Sequence, residues 1–285
     1  MVSRPLGVSE FEGLRPRLVR VAYGLLGDLG EAEDVVQEAW IRLGRVGEPI
    51  VDVEGWLVVA VSRLALDVLR SARRRREEYV GEWLPEPVVT AVDPADRVTL
   101  EESLSMAMMV VLETLSPAER AVFVLHEVFG VPLSEVAVTL GRSPAAVRQL
   151  ASRARRHVQD GTPRFDIDAS AHRRVVGAFA EACSEGDLDA LMGLLAPDVV
   201  YRSDGGGVVK AAINPVVGAD RVARFILGVG RKAPSQTRPV DVNGRPGLLR
   251  LVDGATVGVY ALTVADGLIT RIDLVMNPEK LRSVP

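Results

Sequence analysis

The chain has 285 residues, 48% of them hydrophobic and 25% charged, with a formal net charge of −4. That length predicts two or three domains, and that balance excludes an intrinsically disordered chain. The single cysteine, Cys183, excludes an internal disulfide framework and cannot by itself make a zinc site. No stretch holds the roughly 18 uninterrupted apolar residues that a membrane span needs. Arg4, Glu10, Glu12, Arg15, Arg17 and Arg20 break up the N-terminal segment, so no apolar signal core is expected there. The expectation is a cytoplasmic protein with no membrane partner.

The negative total argues weakly against nucleic acid, but its distribution carries more information. Residues 1–164 hold 20 basic and 24 acidic side chains, and 165–285 hold 14 of each. Inside the acidic first part the arginines cluster. Arg63, Arg70 and Arg73 to Arg76 face Asp67 alone over 63–76, and 142–156 carries arginine with no acid. A single such run reads as a solvated helix face; two of them in an acidic region call for a polyanionic partner.

The first part reads as helices. Ser9 and Glu12 have capping-box spacing ahead of Phe11, Leu14, Leu18, Val21 and Leu25. After the Gly27 to Gly30 break, a helix over about 31–45 has Ala32, Val35, Val36, Ala39 and Leu43 as its core stripe. A third, about 53–76, is expected to bury Val53, Trp56, Val59, Leu64 and Leu66 before its arginine tail. Trp83-Leu84-Pro85-Glu86-Pro87 and Asp93-Pro94 then forbid a helix and predict a domain boundary near 78–95. A helix over 95–114 leads to Ser116-Pro117-Ala118-Glu119, a cap with proline at the first helical position. Helix 133–140 ends at Gly141, and Ser143-Pro144 starts a helix over 144–158, giving the outline of a helix-turn-helix.

Beyond about 163 the pattern changes. Helices over 168–184 (with Val175, Val176, Phe179, Ala180 and Cys183 inward) and 187–195 precede a strand at Val199 to Arg202. Asp204 to Gly207 turn into a second strand, Val208 to Ile213, and helix 219–231 follows. Four strands then alternate with turns at Asn243-Gly244, Asp253-Gly254 and Asp266-Gly267. Helices followed by a curled antiparallel sheet make an α+β domain.

Two helix faces carry the functional signal. On helix 31–45 the core stripe leaves Asp34, Gln37, Glu38 and Ile41 together, an acidic face with one exposed apolar residue. It suits an arginine-bearing helical partner; the alternative is an ordinary solvated face. Helix 144–158 presents Arg148, Gln149, Ser152, Arg153, Arg155 and Arg156. Arginine bridges guanine edges, glutamine pairs with adenine, and further arginines neutralise phosphates, so this face points to DNA. His126 and His157 lack metal-ligand spacing, and lone Cys183 sits in an apolar stripe as a core residue.

Glu33-Asp34-Val35-Val36-Gln37-Glu38-Ala39-Trp40, the arginine-tailed third helix and Leu115-Ser116-Pro117-Ala118-Glu119-Arg120 before the helix-turn-helix together resemble a group 4, extracytoplasmic-function RNA polymerase sigma factor. The resemblance covers 1–160. It implies a sigma-2-like helical domain over 1–78, a linker over 79–99 and a sigma-4-like helix-turn-helix domain over 100–162. It further implies that Asp34, Gln37, Glu38 and Ile41 bind the clamp helices of the largest subunit of core polymerase. Arg63, Asp67, Arg70 and Arg74 would engage the −10 element together with the loop before their helix, one base being captured outside the stack. Arg148, Gln149, Ser152, Arg153, Arg155 and Arg156 would read the −35 element. No cofactor, metal or catalytic group is implied, and no dedicated anti-sigma factor. Free, an acidic chain of this kind binds DNA poorly until polymerase positions both modules.

Ordinary members end near residue 165, whereas this chain continues to Pro285. Its 166–285 order, α-α-β-β-α-β-β-β-β, resembles the NTF2-like cone of SnoaL-like cyclases and ketosteroid isomerases. One sigma subfamily carries such a tail, with W-L-P-E-P, D-G-G-G-K and N-P-D-K-L motifs. Here Trp83, Pro85 and Pro87 match the first, and Asp204, Gly205, Gly206 and Gly207 match the second. Val208 replaces the expected lysine, so no salt bridge is carried over to that position. Asn277, Pro278 and Lys280 match the third, with Glu279 for aspartate. The resemblance implies an intramolecular regulatory role for these residues. The alternative is a tail that binds or transforms a small molecule, with Tyr201, Asp204, Asp241, Asp253 and Asp273 as candidates. Asp204, Asp253 and Asp266 each precede glycine and are expected to be turn residues.

Overall fold

Local sequence dictates most of the helix boundaries. The structure, a computed structural model, describes residues 8–90, 104–161 and 168–285, with backbone alone for 72–77 and 161. Asp93-Pro94, the 95–103 portion of the expected fourth helix and the Arg74 side chain lie outside these. Helix α1 (Val8–Leu26) contains Ser9, so that serine is not its cap. Helix α2 (Leu29–Leu43) starts earlier than expected because Asp28 accepts a hydrogen bond from the Glu31 amide at 2.8 Å. Helix α3 (Val53–Glu77) buries Leu57, Val61, Ala65 and Leu69; of the expected stripe Leu66 is buried as well, while Val53, Trp56, Val59 and Leu64 are half-buried. Its run Trp56-Leu-Val-Val-Ala-Val61 is apolar all round, so periodicity alone could not fix the buried face.

The chain divides into two compact units, Met1–Glu77 with Val111–Gly161, and Glu78–Val110 with Thr162–Pro285. In the first, α1, α2 and α3 pack together through Phe11, Leu18, Leu25, Val36 and Ala39. The same unit holds α5 (Pro117–Val122), a π-helical turn Phe123–Val128, α6 (Leu133–Leu140) and α7 (Pro144–Gly161). The capping box forms as expected: the Ser116 amide donates to Glu119, and the Glu119 amide donates to Ser116 Oγ. Gly141, at φ 61°, ends α6 in the left-handed region and opens the turn to α7. Arg120, 1% exposed, donates from Nε to the Gly24 carbonyl at 3.0 Å and from Nη1 to Glu113, tying α5 to α1. Helix α4 (Met106–Glu113) is shorter than expected.

The second unit is an α+β domain with helices on one face of a curled sheet, the architecture the 166–285 order led to. Helices α8 (Ala169–Glu185), α9 (Leu188–Leu194) and α10 (Ala219–Lys232) cover one face of a seven-stranded sheet ordered β1-β4-β5-β6-β7-β2-β3. Its strands are β1 (Val89–Thr90), β2 (Leu195–Asp204), β3 (Val216–Val217), β4 (Gln236–Val242), β5 (Arg245–Val252), β6 (Ala255–Ala265) and β7 (Leu268–Val275). Among the described strands only the β2–β7 pair is parallel. Asn243-Gly244, Asp253-Gly254 and Asp266-Gly267 all take positive φ at both residues, the geometry of a tight hairpin whose twist matches its strands. Phe179, Tyr201, Leu262, Ile272 and Leu274 fill the helix-covered inner face. The outer face is covered by Leu84, Met106 and Val110 packing on Val240, Leu249, Val259, Ala261 and Val275.

Two expectations fail here. Val208 to Ile213 is not a strand: Val208 and Val209 amides fold back onto the Gly205 carbonyl, and the Ala212 amide donates to Ser203 Oγ. The strand paired with β2 is instead β3, opposite Val200 and Tyr201. Asp204 is not a simple turn residue either. It ends β2 with 0% exposure, holding contacts described below.

Candidate functional site

Helix α2 lays Val35, Val36 and Ala39 into the core, which leaves Asp34, Gln37 and Ile41 exposed and Glu38 half-buried on one face. Glu38 pairs with Arg42 one turn on at 2.8 Å, and Ile41 is 40% exposed. The face is therefore acidic with one apolar contact point. On α3, Arg63, Asp67 and Arg70 share an exposed face, and Arg70 donates to Asp67 at 2.9 Å. Arg63 is engaged elsewhere. Its Nη2 donates to the Val138 carbonyl at 2.8 Å and its Nε to that of Thr139 at 3.3 Å, at the C-terminal end of α6. A guanidinium there meets both the last carbonyls of the helix and the negative end of its dipole.

Helix α7 buries Val147, Leu150, Ala151, Ala154 and Val158, and every one of Arg148, Gln149, Ser152, Arg153, Arg155 and Arg156 is exposed. Two of these arginines are ion-paired inside the unit. Arg153 Nε lies 3.4 Å from Glu119 on α5, and Arg155 Nη2 donates to Glu127 on the π-helical turn at 2.7 Å. The Ser116 hydrogen bond and the charges of Arg153 and His157 hold the Glu119 carboxyl below the usual range. The sequence marked Glu119 only as a capping residue and did not mark Glu127, because a pair between elements has no sequence spacing to betray it.

The Trp83 to Pro87 segment lies along the outer face of the cone. Leu84, Pro85, Glu86 and Pro87 are buried and Trp83 half-buried. Strand alternation puts Arg202 and Asp204 of β2 and Arg271, Asp273 and Val275 of β7 on this face, opposite Tyr201, Ile272 and Leu274. Asp204 organises the contact. It accepts from Tyr79 Oη at 2.5 Å, the Leu84 amide at 3.0 Å, the Gly206 amide at 3.0 Å and Lys280 Nζ at 2.7 Å. Lys280, 5% exposed, also donates to the Leu84 carbonyl and sits 3.9 Å from the Trp83 ring centroid. Asn277 donates to Tyr79 Oη at 2.9 Å, and Ser283 Oγ to Glu86 at 3.1 Å. Burial and then the Asp204 contact push the Tyr79 phenol far above its ordinary value. At the other end Asn243 exchanges hydrogen bonds with Val88, and β1 pairs with β4. Gly205 and Gly206 are required by close approach: a Cβ would lie 2.1 Å from the Val209 carbonyl oxygen at the first and 2.6 Å from Asn277 at the second. The structure thus brings Trp83, Pro85, Pro87, Asp204, Gly205, Gly206, Asn277 and Lys280 together; Pro278 and Gly207 are exposed at the rim. Val208, where the motif led to a lysine, is exposed; the buried ammonium at Asp204 belongs to Lys280 of the third motif.

Known proteins resemble this chain over most of its length. A sigma-70 region 2 model matches residues 11–75, and a sigma-70 region 4 model matches 105–158. The ECF RNA polymerase sigma factor SigJ of Mycobacterium tuberculosis is 46% identical, over 98% of this chain and 94% of its own. The probable ECF RNA polymerase sigma factor SigI of the same organism is 44% identical over 94% and 92%. The crystal structure of M. tuberculosis SigJ superposes with a TM-score of 0.80 at 42% identity, covering 98% of this chain and 99% of that one. The chain belongs to the extracytoplasmic-function RNA polymerase sigma factors.

A sigma factor is a promoter-recognition subunit rather than an enzyme, and the tail's carboxylates are not arranged for catalysis. Asp204 and Asp273 face away from the inner side that holds Tyr201, Asp241 lies 3.4 Å from Arg173, and Asp253 is an exposed hairpin residue. Cys183 packs against the inner core of this sigma factor's tail, where burial pushes its thiol up to about 12. Asp273 is wholly buried near Arg271 and Arg202, and neither oxygen meets a hydrogen-bond donor among the described residues. No described helix of this sigma factor is long and apolar enough to cross a membrane.

Proposed function

We propose that this sigma factor carries its own regulator. Asp34, Gln37, Glu38 and Ile41 bind the clamp helices of core polymerase; Arg63, Asp67, Arg70 and Arg74 engage the −10 element; Arg148, Gln149, Ser152, Arg153, Arg155 and Arg156 engage the −35 element. The NTF2-like tail controls how the two DNA-reading modules are deployed. One observation carries the regulatory part: the segment that connects α3 to α4 is strapped to the tail through Asp204 and Lys280. A strapped connection has a short effective reach and a loosened one a longer reach, so the state of the strap sets how freely the −10 and −35 modules move apart. Because the contact is intramolecular, effective concentrations in the millimolar range, on the order typical of short linkers, make even a weak interface effective.

Reconstituted transcription with core polymerase tests this reading. Promoters are first identified by sequencing run-off transcripts. Full-length protein is then compared with chains ending at Gly161 and at Asn277. Both truncations release the strap, the first by removing its seat and the second by removing Lys280, and both change the activity curve. Identical curves for all three would leave the tail without a regulatory role.

A further inference from the structure

The pairing pattern around α7 points to residues that set the selectivity of DNA binding without touching DNA. With the core stripe Val147, Leu150, Ala151, Ala154 and Val158 turned inward, helical geometry puts Gln149, Ser152 and Arg156 along the middle of the outer face. Arg148 and Arg155 flank them on one side and Arg153 on the other. Each flank has an acid beside it. Glu127 takes Arg155 at 2.7 Å, and Glu119 stands 3.4 Å from Arg153. The two carboxylates are 23% and 20% exposed while their arginines are 53% and 57% exposed, so the acids are the anchored partners. Both are set by local structure: Glu119 by the capping box with Ser116, Glu127 by the π-helical turn, which re-aims a side chain by one residue. Glu127 also lies 3.9 Å from His126 Nε2.

An arginine that already holds a carboxylate must exchange it for a phosphate, so the new contact releases less counterion and adds less affinity. Phosphate contacts strengthen binding to every sequence alike, whereas base contacts strengthen binding to one. We propose that Glu119 and Glu127 are specificity-determining residues of the DNA-reading helix, occupying its flanking arginines so that binding to non-cognate DNA stays weak while the central residues read bases. The inference rests on the reading of α7 as the DNA-facing helix. It assigns Arg153 and Arg155 a damped, phosphate-directed role and leaves the readout of bases to Arg148, Gln149, Ser152 and Arg156.

The test uses full-length protein and a random-sequence duplex, titrated over a series of low salt concentrations. Glu127→Gln frees Arg155 and steepens the dependence of log affinity on log salt by about 0.9, which raises affinity about eightfold at roughly 0.1 M salt. Glu127→Gln with Arg155→Ala returns the slope to the wild-type value or below it. Glu119→Gln, which keeps the capping acceptor, acts in the same sense through Arg153. In holoenzyme, Glu127→Gln lowers the ratio of transcripts from an intact to a scrambled −35 element. An unchanged slope and transcript ratio for Glu127→Gln would overturn the inference, as would a gain that survives in the double variant, since a mere loss of negative charge would then explain it. Arg148→Ala with Arg156→Ala separates the two readings. If this pair lowers the transcript ratio between intact and scrambled −35 elements while Glu127→Gln does nothing, only the present inference fails. If the pair has no effect, α7 is not the DNA face and both fail.

Discussion

Replacing Lys280 by Met should open the strap without unfolding the tail. Methionine keeps the apolar stem beside Trp83 but deletes the ammonium, so the Asp204 carboxylate stays buried with no positive partner. Removing one member of a buried pair typically costs about 3–5 kcal/mol. The lower end applies here because Tyr79 Oη and the Leu84 and Gly206 amides still donate to Asp204. A cost of about 3 kcal/mol corresponds to roughly a hundredfold rise in the population of the opened strap. Hydrogen exchange reads it directly: the Leu84 amide, whose acceptor is Asp204, and the Asn243 amide, whose acceptor is Val88, exchange about a hundredfold faster, while the β5–β6 ladder keeps its protection. Combining Lys280→Met with Asp204→Asn removes both charges and recovers most of the loss, because a neutral pair costs far less to bury. Unchanged exchange over 79–90 in Lys280→Met, or a double variant that loses the sum of the two single losses, would refute the reasoning.

Other outcomes follow from the same geometry. Asp34→Arg with Glu38→Arg replaces attraction by repulsion on the exposed face of α2; core polymerase should no longer co-purify, while circular dichroism keeps its helical signal. Arg148→Ala should weaken −35-dependent transcription by about 1–3 kcal/mol where the lost contact was bidentate to a base, measured by run-off titration against a scrambled element. Burial pushes the Asp273 carboxyl up to about 6, against the pull of Arg271 and Arg202. The folded state therefore holds a proton that the unfolded chain releases near its ordinary value of about 3.9. Stability of the tail should fall as pH rises from about 4 through about 6 and level off above; Asp273→Asn abolishes that fall and gains up to about 3 kcal/mol at neutral pH, read from urea midpoints.

What the sequence discloses is what neighbouring residues decide. The three hairpins were legible because Asn-Gly and Asp-Gly select one turn geometry, and the helix-turn-helix because Ser116, Pro117, Glu119 and Gly141 act within one turn of their own backbone. Asp204 was misread for the complementary reason. A residue before three glycines has the signature of a turn, and nothing local says that Lys280, 76 residues on, will meet its carboxylate. The lysine the motif led to at 208 is an exposed valine, and the ammonium that meets Asp204 comes from the C-terminal turn Pro278–Leu281. Asp273 attracted a catalytic reading because an acid amid Ile272, Leu274 and Val275 is unusual. Its face was fixed only by the register of β7 against β2, where it stands opposite Arg202 on the strap side.

The same non-local pairing bears on how the sigma domains meet DNA. Arg63, Arg153 and Arg155 are all assigned to promoter contacts, and all three hold protein acceptors within the first unit: carbonyls of α6, then Glu119 and Glu127. Promoter engagement by these side chains is an exchange of partners, not a new attraction added to a free cation. For Arg63 the exchange also gives up a tie between α3 and α6, since its hydrogen bonds run from one to the other. Hydrogen bonds with a charged partner contribute about 1.5–3 kcal/mol each, so releasing them disfavours the DNA-bound arrangement until something else offsets the loss. Core polymerase, docked on the α2 face as proposed, is the partner that could offset it. On that proposal, polymerase binding adds free energy that DNA alone does not supply, and the free chain is expected to bind promoter DNA weakly.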